Sequence, residues 1–206
     1  DKFPDNGYLW LRFLPSLAGA LLPLILYLLA LRLGLSKTAS FALGILVALE
    51  NSFIVQTRLI LLDGFLLLFG FTALLCYFSY RHSNKSSHLL WAGIFATLSV
   101  SVKWTGLSFL AIILSMEFLK LIKNFSASSI KKYLFKLVLI PAIVYVSIFA
   151  IHLGLLYKSG PGDAFMTPEF RKTLIDSNEY KNPAIWPSNL WNKITELNTQ
   201  MYKSNA

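Results

Sequence analysis

The sequence has little that would stabilise a secreted domain or hold a cofactor. It contains a single cysteine, Cys76, inside an apolar run, so it cannot build an intrachain disulfide framework. His82 and His88 lack Cys or carboxylate partners at metal-ligand spacing, and neither a phosphate-binding glycine loop nor a dinucleotide-binding fingerprint occurs. The sequence therefore predicts no protein metal site and no bound cofactor.

Charge is scarce, and its two signs are unequal. Only 14% of the residues are charged, whereas 55% are hydrophobic and 15% aromatic, which is too apolar for a soluble domain of 206 residues. The 19 basic residues outnumber the 10 acidic ones, but they concentrate in short segments between apolar runs. Such a distribution sets the orientation of a membrane protein, and we expect no nucleic-acid partner.

Apolar segments long enough to cross the bilayer predict an all-α, polytopic integral membrane protein with six transmembrane helices. The fourth segment is short, and the turns after the second and fourth segments leave almost no loop. The chain is thus predicted to divide into a transmembrane region over 1–157 and an external loop over 158–206. The six segments are 10–34, 38–56, 59–80, 89–103, 104–124 and 134–157.

Basic residues in the short connections predict the orientation, because cytoplasmic loops are enriched in Lys and Arg. Both termini, the two tight turns and residues 158–206 are then expected on the external or lumenal side. That side corresponds to the outside of a bacterial plasma membrane, or to the lumen of the endoplasmic reticulum in a eukaryote. The residues that indicate the cytoplasmic face are Arg32, Lys37, Arg81, Lys85, Lys120, Lys123, Lys131, Lys132 and Lys136.

The external loop is predicted to contain one short amphipathic helix. A Pro187-Ser188 start signal precedes apolar residues at helical spacing, and we expect this helix to lie flat on the outer membrane surface. The apolar positions are Trp186, Leu190, Ile194, Leu197 and Met201.

Arg58 and Lys103 stand in the two tight turns and are the leading candidate site residues. An Arg fork and a Lys point charge at one depth suit a lipid phosphate, and charges near bilayer depth are commonly functional. The alternative is that each side chain extends from a helix end to ordinary lipid headgroups. The pattern alone leaves both interpretations open.

Three further residues flank Arg58 and are candidate supporting residues. Glu50, Asn51 and Asp63 could orient or pair with the guanidinium, which would reduce the free-energy cost of placing its charge at bilayer depth. Alternatively, Glu50 and Asp63 mark where helices leave the bilayer, and Asp63 could cap the helix that follows.

The segment Gly160, Pro161, Gly162 and Asp163 opens the external loop. Its backbone could approach a bound substrate closely, and Asp163 could contact hydroxyl groups. A plain turn explains the same composition.

Five strings in chain order resemble motifs of the protein O-mannosyltransferases, membrane enzymes of the GT-C glycosyltransferase type. This family moves mannose from a polyprenyl-phosphate carrier to Ser or Thr hydroxyls of proteins. Any one string is a weak signal, but five in order are specific. The strings are LRFLPSLAGAL at 11–21, LENSF at 49–53 with RLILLD at 58–63, SVKWTG at 101–106, SGPGDAFM at 159–166 and ELNTQMY at 196–202.

The resemblance implies that Arg58 and Lys103 hold the carrier phosphate and that the loop at Gly160 frames the acceptor site. It implies an inverting transfer in which a carboxylate base deprotonates the acceptor hydroxyl. The implied partners are polyprenyl-phosphate-mannose, secreted or membrane acceptor proteins, the lipid bilayer and a dimer partner.

The chain also departs from the family pattern. The family's Asp-Glu pair belongs to a loop that would precede Asp1, so we expect a fragment that is inactive alone and assign no general base. Arg171 stands where the family usually has Gln, which puts an acceptor contact there in doubt. The loop is too short for the β-trefoil domain of eukaryotic members, which favours a bacterial-type member.

Two other functions remain open on the sequence. Another polyprenyl-phosphate sugar transferase would move a different sugar with the same architecture. A transporter or channel could line its route with Arg58, Asp63 and Lys103, although transporters tend to show repeated halves and no internal repeat is visible.

Overall fold

A computed structural model describes residues 7–59, 61–177 and 188–205, and this part of the chain is helical apart from connections and one isolated bridge. The predicted all-α fold is confirmed. The helices are α1 (Gly7–Arg32), α2 (Lys37–Leu49), α3 (Asn51–Arg58), α4 (Asp63–Ser83), α5 (Ser86–Val102), α6 (Leu107–Lys123), α7 (Ala127–Tyr133), α8 (Ile140–Leu155), α9 (Pro168–Arg171) and α10 (Ser188–Asn205).

The predicted count of six spans is not confirmed. In the described residues, four helical stretches are long and apolar enough to cross a membrane, and a fifth exists if α2 and α3 form one bent span. Helix α5 is apolar but has only 17 residues, which is shorter than a membrane-crossing helix usually is. The four stretches are Leu9–Arg32, Asp63–Ser83, Trp104–Lys123 and Ala127–Leu155.

The second predicted span is broken where Glu50 separates α2 from α3. The two helices bend by 53°. Glu50 has an extended backbone, and its carboxylate accepts a hydrogen bond of 3.2 Å from the amide of Ser52, which caps α3. An acidic cap of this kind stabilises the start of a new helix, so the chain changes direction instead of continuing as one rod.

The protein forms two compact units, Asp1–Val144 and Tyr145–Ala206. In the first unit α4 packs against α1 and α5. Small residues on α5, including Ala92 and Ala96, are fully buried against α4 and allow the close approach. The Ser99 hydroxyl donates a hydrogen bond of 2.9 Å to the Leu66 carbonyl of α4, which links the two helices.

A buried carboxylate, Glu117, joins α6 to α4. Its side chain is 2% exposed, and its Oε1 accepts a hydrogen bond of 2.8 Å from the Tyr77 hydroxyl. The guanidinium of Arg81 lies 3.7 Å from the same oxygen. Sequence reasoning missed this residue, although a lone carboxylate inside an apolar segment is the signal for a buried, partnered charge.

The stretch from α7 to α8 contains a π-helical segment, Leu134–Leu139. The ammonium of Lys136 donates to the carbonyl and the hydroxyl of Ser86, at 2.7 and 2.6 Å. The Lys136 carbonyl lies so close to Gly93 that a Cβ there would sit 2.3 Å from it. The wider π turn thus packs directly against the backbone of α5.

The second unit combines the end of α8 with α9 and α10. The face of α10 that carries Ile194 packs against Phe149, Leu153, Phe170 and Leu174, and Ile194 is buried. The predicted amphipathic helix therefore exists, and protein covers part of its apolar face. That this helix lies flat on the membrane surface stays a prediction. The predicted start at Trp186 and Pro187 lies outside the described residues. The boundary proposed at 157/158 stays a prediction.

We predict that Tyr77→Phe lowers the free energy of unfolding by about 1–3 kcal/mol, because it leaves a buried carboxylate oxygen without its short hydrogen bond. The matched control is Tyr27→Phe in α1, whose hydroxyl has no hydrogen-bond partner among the described residues. The measurement is the thermal unfolding midpoint in detergent. Equal midpoints for the two variants would contradict a stabilising role of the Tyr77–Glu117 bond.

Candidate functional site

Arg58 lies at the edge of a cleft between α1, α2 and α3. The cleft has a volume of about 300 Å³. Arg58 is the last residue of α3 and is exposed, which brings its guanidinium to the mouth of a largely apolar cavity. The other lining residues are Ser16, Gly19, Ala20, Pro23, Val47, Ala48, Phe53, Ile54 and Thr57.

The guanidinium of Arg58 has no hydrogen bond and no ion pair with any residue that the structure describes. The other candidate charges of this junction do have partners. An unpaired, planar cation beside an apolar cleft can bind a ligand that joins an anionic group to an apolar chain.

Lys103 and Asp63 form an ion pair across the ends of α5 and α4. The ammonium donates to Asp63 Oδ1 at 2.6 Å, and both side chains are partly exposed. Lys103 follows α5 directly, and Asp63 is the first residue of α4, so the pair fastens the two helix ends together. Through Asp63, Lys103 is tied to the short connection that begins with Leu59, next to Arg58.

The structure corrects two expectations about the supporting residues. Asp63 pairs with Lys103 and not with Arg58, because the helix that begins at Asp63 turns its carboxylate to α5. Asp63 is also not the cap of α4, since Leu62 occupies that position without a side-chain hydrogen bond. Glu50 caps α3, and Asn51 is its exposed first residue, so neither orients the guanidinium.

Sequence reasoning missed the wall that α1 gives to the cleft. Ser16, Gly19, Ala20 and Pro23 recur at steps of three, one and three, which places them on one face of a helix. A face of small residues in a membrane helix indicates close packing or a cavity, so this spacing could have identified the wall.

In the second unit, Gly160 and Asp163 build a closed turn. The Asp163 carboxylate accepts a hydrogen bond of 2.6 Å from the Gly160 amide, and the Asp163 amide donates to the Gly160 carbonyl at 3.0 Å. Pro161 begins the 3₁₀ helix Pro161–Phe165, which includes Gly162. The geometry agrees with the plain-turn interpretation, while an acceptor role stays a prediction.

The loop is held at both ends. The Ser159 amide donates to the Ile175 carbonyl at 2.8 Å, and the Ile175 amide donates to the Tyr157 carbonyl at 2.9 Å. In between, Glu196 of α10 accepts from the amide of Thr167 at 2.7 Å and from its hydroxyl at 2.9 Å. Residues 158–175 therefore form a tied loop.

Lys193 adds a cation to the apolar contact of α10 with the loop. Its ammonium lies 5.3 Å from the centre of the Phe170 ring, at cation–π distance. Burial lowers the pKa of Lys193 from its ordinary value, because the charged form loses hydration. Glu196 and Lys193 thus both serve to hold α10 against the loop.

The fold and the site define a polytopic membrane protein with an arginine, beside an apolar cleft, that has no partner among the residues the structure describes. A family profile described as dolichyl-phosphate-mannose-protein mannosyltransferase matches residues 1–157. The chain belongs to this family, in agreement with the resemblance of its motifs.

Similar proteins come from animals and fungi. Protein O-mannosyl-transferase 1 of Danio rerio is 31% identical over 188 residues, covering 84% of this chain and 26% of that protein. Dolichyl-phosphate-mannose--protein mannosyltransferase 4 of Candida albicans is 30% identical over 196 residues, covering 86% and 26%. The chain spans about a quarter of the length of these relatives. The expectation of a bacterial-type member stays a prediction.

A solved structure has the same fold. The S. cerevisiae protein O-mannosyltransferase Pmt1-Pmt2 complex bound to the sugar donor superimposes with a TM-score of 0.74 at 28% sequence identity. The match covers 84% of this chain and 25% of that chain. Over the matched residues, the helices thus have the arrangement of the corresponding segment of that structure.

We predict that Glu196→Gln loosens the loop, because Thr167 donates to both oxygens of the Glu196 carboxylate and Gln replaces one of them with an NH2 group that cannot accept. Hydrogen–deuterium exchange over residues 158–175 should rise severalfold. Glu169→Gln is the control, since Glu169 is exposed and has no partner among the described residues. Unchanged exchange in Glu196→Gln would show that the apolar contacts alone hold the loop.

Proposed function

We propose that the chain is the donor-binding part of an enzyme that transfers mannose from polyprenyl-phosphate-mannose to Ser or Thr hydroxyls of proteins. Family membership supports the reaction. The single observation that carries the site is the guanidinium of Arg58 at the mouth of an apolar cleft, without a partner in the described part of the chain. A polyprenyl phosphate has the matching chemistry, an anionic head on an apolar chain.

Arg58 is the principal phosphate ligand in this proposal. Its planar fork matches two phosphate oxygens, and it need not break an ion pair before it binds them. The apolar residues of the cleft, such as Ala20 and Val47, then contact the first units of the carrier chain.

Lys103 is the secondary phosphate ligand. One of its three N–H donors binds Asp63, which leaves two for phosphate oxygens. Because Asp63 neutralises part of its charge, Lys103 contributes less to donor binding than Arg58 does. Glu50 and Asp63 act indirectly by fixing helix ends.

The chemical step is a single displacement that inverts the sugar configuration. The phosphate leaves as the acceptor hydroxyl attacks, and the two cations stabilise the negative charge that grows on the leaving group. A carboxylate serves as the general base, none of the described residues is assigned that role, and no metal or cofactor takes part in the transfer. The turn at Gly160–Asp163 contributes to the acceptor side.

The sidedness and the partners follow from the same proposal. The Arg58 and Lys103 turns, both termini and residues 158–206 face the external or lumenal side, where secreted and membrane acceptor proteins pass. The similar yeast protein is a complex of two such chains, and we propose that this protein also forms a dimer.

In the full-length enzyme, Arg58→Ala should lower kcat/KM for the mannosyl donor by about 10²-fold or more, since one charged donor to the leaving phosphate is lost. Arg58→Lys keeps the positive charge but lacks the planar guanidinium, and it should lower kcat/KM about tenfold. Lys103→Ala should lower kcat/KM by a smaller factor than Arg58→Ala does. The measurement is transfer of labelled mannose to an acceptor peptide in membranes.

Arg32→Ala is the matched control, because Arg32 is an exposed arginine at the opposite end of α1. It should leave donor kinetics unchanged. Wild-type activity in Arg58→Ala would refute the phosphate site. A sugar other than mannose on the acceptor would instead favour a related transferase, and ion flux without transfer would favour a transporter.

The sidedness has its own test. In a Cys76→Ser background, a membrane-impermeant maleimide should label Lys172→Cys only from the external or lumenal side, and Ser87→Cys only from the cytoplasmic side. Both positions are exposed, so reagent access depends on the membrane alone. Labelling of both from one side would contradict the predicted orientation.

A further inference from the structure

Thr57, the residue before Arg58, lies where three helices meet. Its side chain is buried, at 7% exposure. Its hydroxyl donates to the carbonyls of Phe53 and Ile54 within its own helix, at 3.0 and 3.3 Å. The hydroxyl is thus satisfied inside α3, and the remaining surface of the side chain is free to pack against α1 and α4.

On the α1 side, Gly19 leaves room for Thr57. A Cβ at Gly19 would sit 2.6 Å from Thr57 Cγ2 and 2.7 Å from Thr57 Cβ. The Ser16 hydroxyl, one turn earlier on α1, donates to the Thr57 carbonyl at 3.2 Å. Contact and hydrogen bond together fix the end of α3 against α1.

On the α4 side, Gly64 completes the contact. A Cβ at Gly64 would lie 3.3 Å from Thr57 Cγ2 and 3.5 Å from the Pro15 carbonyl. Thr57 is therefore enclosed between two glycines on different helices. The guanidinium that follows it depends on this packing, because Arg58 has no partner of its own among the described residues.

We propose that Gly19 and Thr57 are positioning residues that set the place of the Arg58 guanidinium at the mouth of the cleft. This inference rests on the proposed function, in which Arg58 binds the donor phosphate. A methyl group at Gly19 must move Thr57 outward by about 1 Å to reach an ordinary carbon–carbon contact. A displacement of that size at a group that binds the substrate costs about 10²-fold in kcat/KM.

The first experiment compares Gly19→Ala with Gly44→Ala in the full-length enzyme. Gly44 faces α1 from α2, but a Cβ there would lie 3.4 Å from the Pro23 carbonyl and 3.6 Å from Tyr27 Cβ, an ordinary contact. Gly19→Ala should raise KM for the lipid-linked mannose donor about 10- to 100-fold and leave KM for the acceptor peptide unchanged. The donor KM of Gly44→Ala should stay within twofold of wild type.

A purely structural role of Gly19 would instead lower the unfolding midpoint and the active fraction without changing the donor KM, and that result would overturn the proposal.

A second pair of variants applies where Gly19→Ala fails to fold. Thr57→Val keeps the branched shape and loses only a hydroxyl bonded within α3, so donor KM should stay near wild type. Thr57→Ala removes the Cγ2 that fills the space between the glycines and should raise donor KM severalfold. Equal donor KM for Thr57→Val and Thr57→Ala would overturn the proposal.

A double-mutant cycle separates this inference from the proposed function. If Gly19 acts through Arg58, Gly19→Ala should change donor KM less than twofold in an Arg58→Ala background, because the group that Gly19 positions is already absent. Multiplicative effects would overturn the positioning role while leaving the phosphate site intact. Full activity of Arg58→Ala alone would overturn both.

Discussion

The cost of placing a charge in a bilayer without a partner governs how this chain uses its polar side chains. Glu117 is held by Tyr77 and Arg81, and Asp63 is held by Lys103. In each case the partner comes from a different helix, so the need to satisfy a charge becomes a link between helices. Arg58 departs from this pattern. Its guanidinium has no hydrogen bond or ion pair in the described chain, and this is the clearest sign of function there.

Polar contacts and close contacts of small residues have different roles in the first unit. Polar links set which helix ends meet, whereas glycine and alanine contacts set how closely the backbones approach. Gly93 lies under the carbonyl of Lys136, and Gly19 lies under Thr57. A methyl group added at either glycine would force a neighbouring group to move, so these contacts set closely how the helices pack. A short helix such as α3 cannot supply that precision by itself, since eight residues are only marginally stable without packing.

Hydropathy and the family resemblance were sufficient to predict the all-helical membrane fold and the junctions at Arg58 and Lys103. They did not predict the bend at Glu50, because hydropathy measures the apolarity of a segment and not its direction. Proximity in sequence suggested a pair between Arg58 and Asp63, but the partner of Asp63, Lys103, is 40 residues away and directly follows α5. The apolar stripe of α10 was predicted correctly, yet periodicity identifies a face and not what covers it, so packing on Phe149 and Phe170 could not be foreseen.

Under the proposed function, in which Arg58 and Lys103 bind the donor phosphate, the charge arrangement at the junction suits a phosphate whose charge changes during the transfer. A mannosyl phosphodiester carries one negative charge, and the phosphate monoester that leaves approaches two at neutral pH. The lone charge of Arg58 matches the diester, whereas Lys103 is partly neutralised by Asp63 until a stronger anion develops beside it. A second cation that engages more strongly as charge grows stabilises the transition state more than the bound donor, which is the condition for accelerating the transfer and not merely tightening binding.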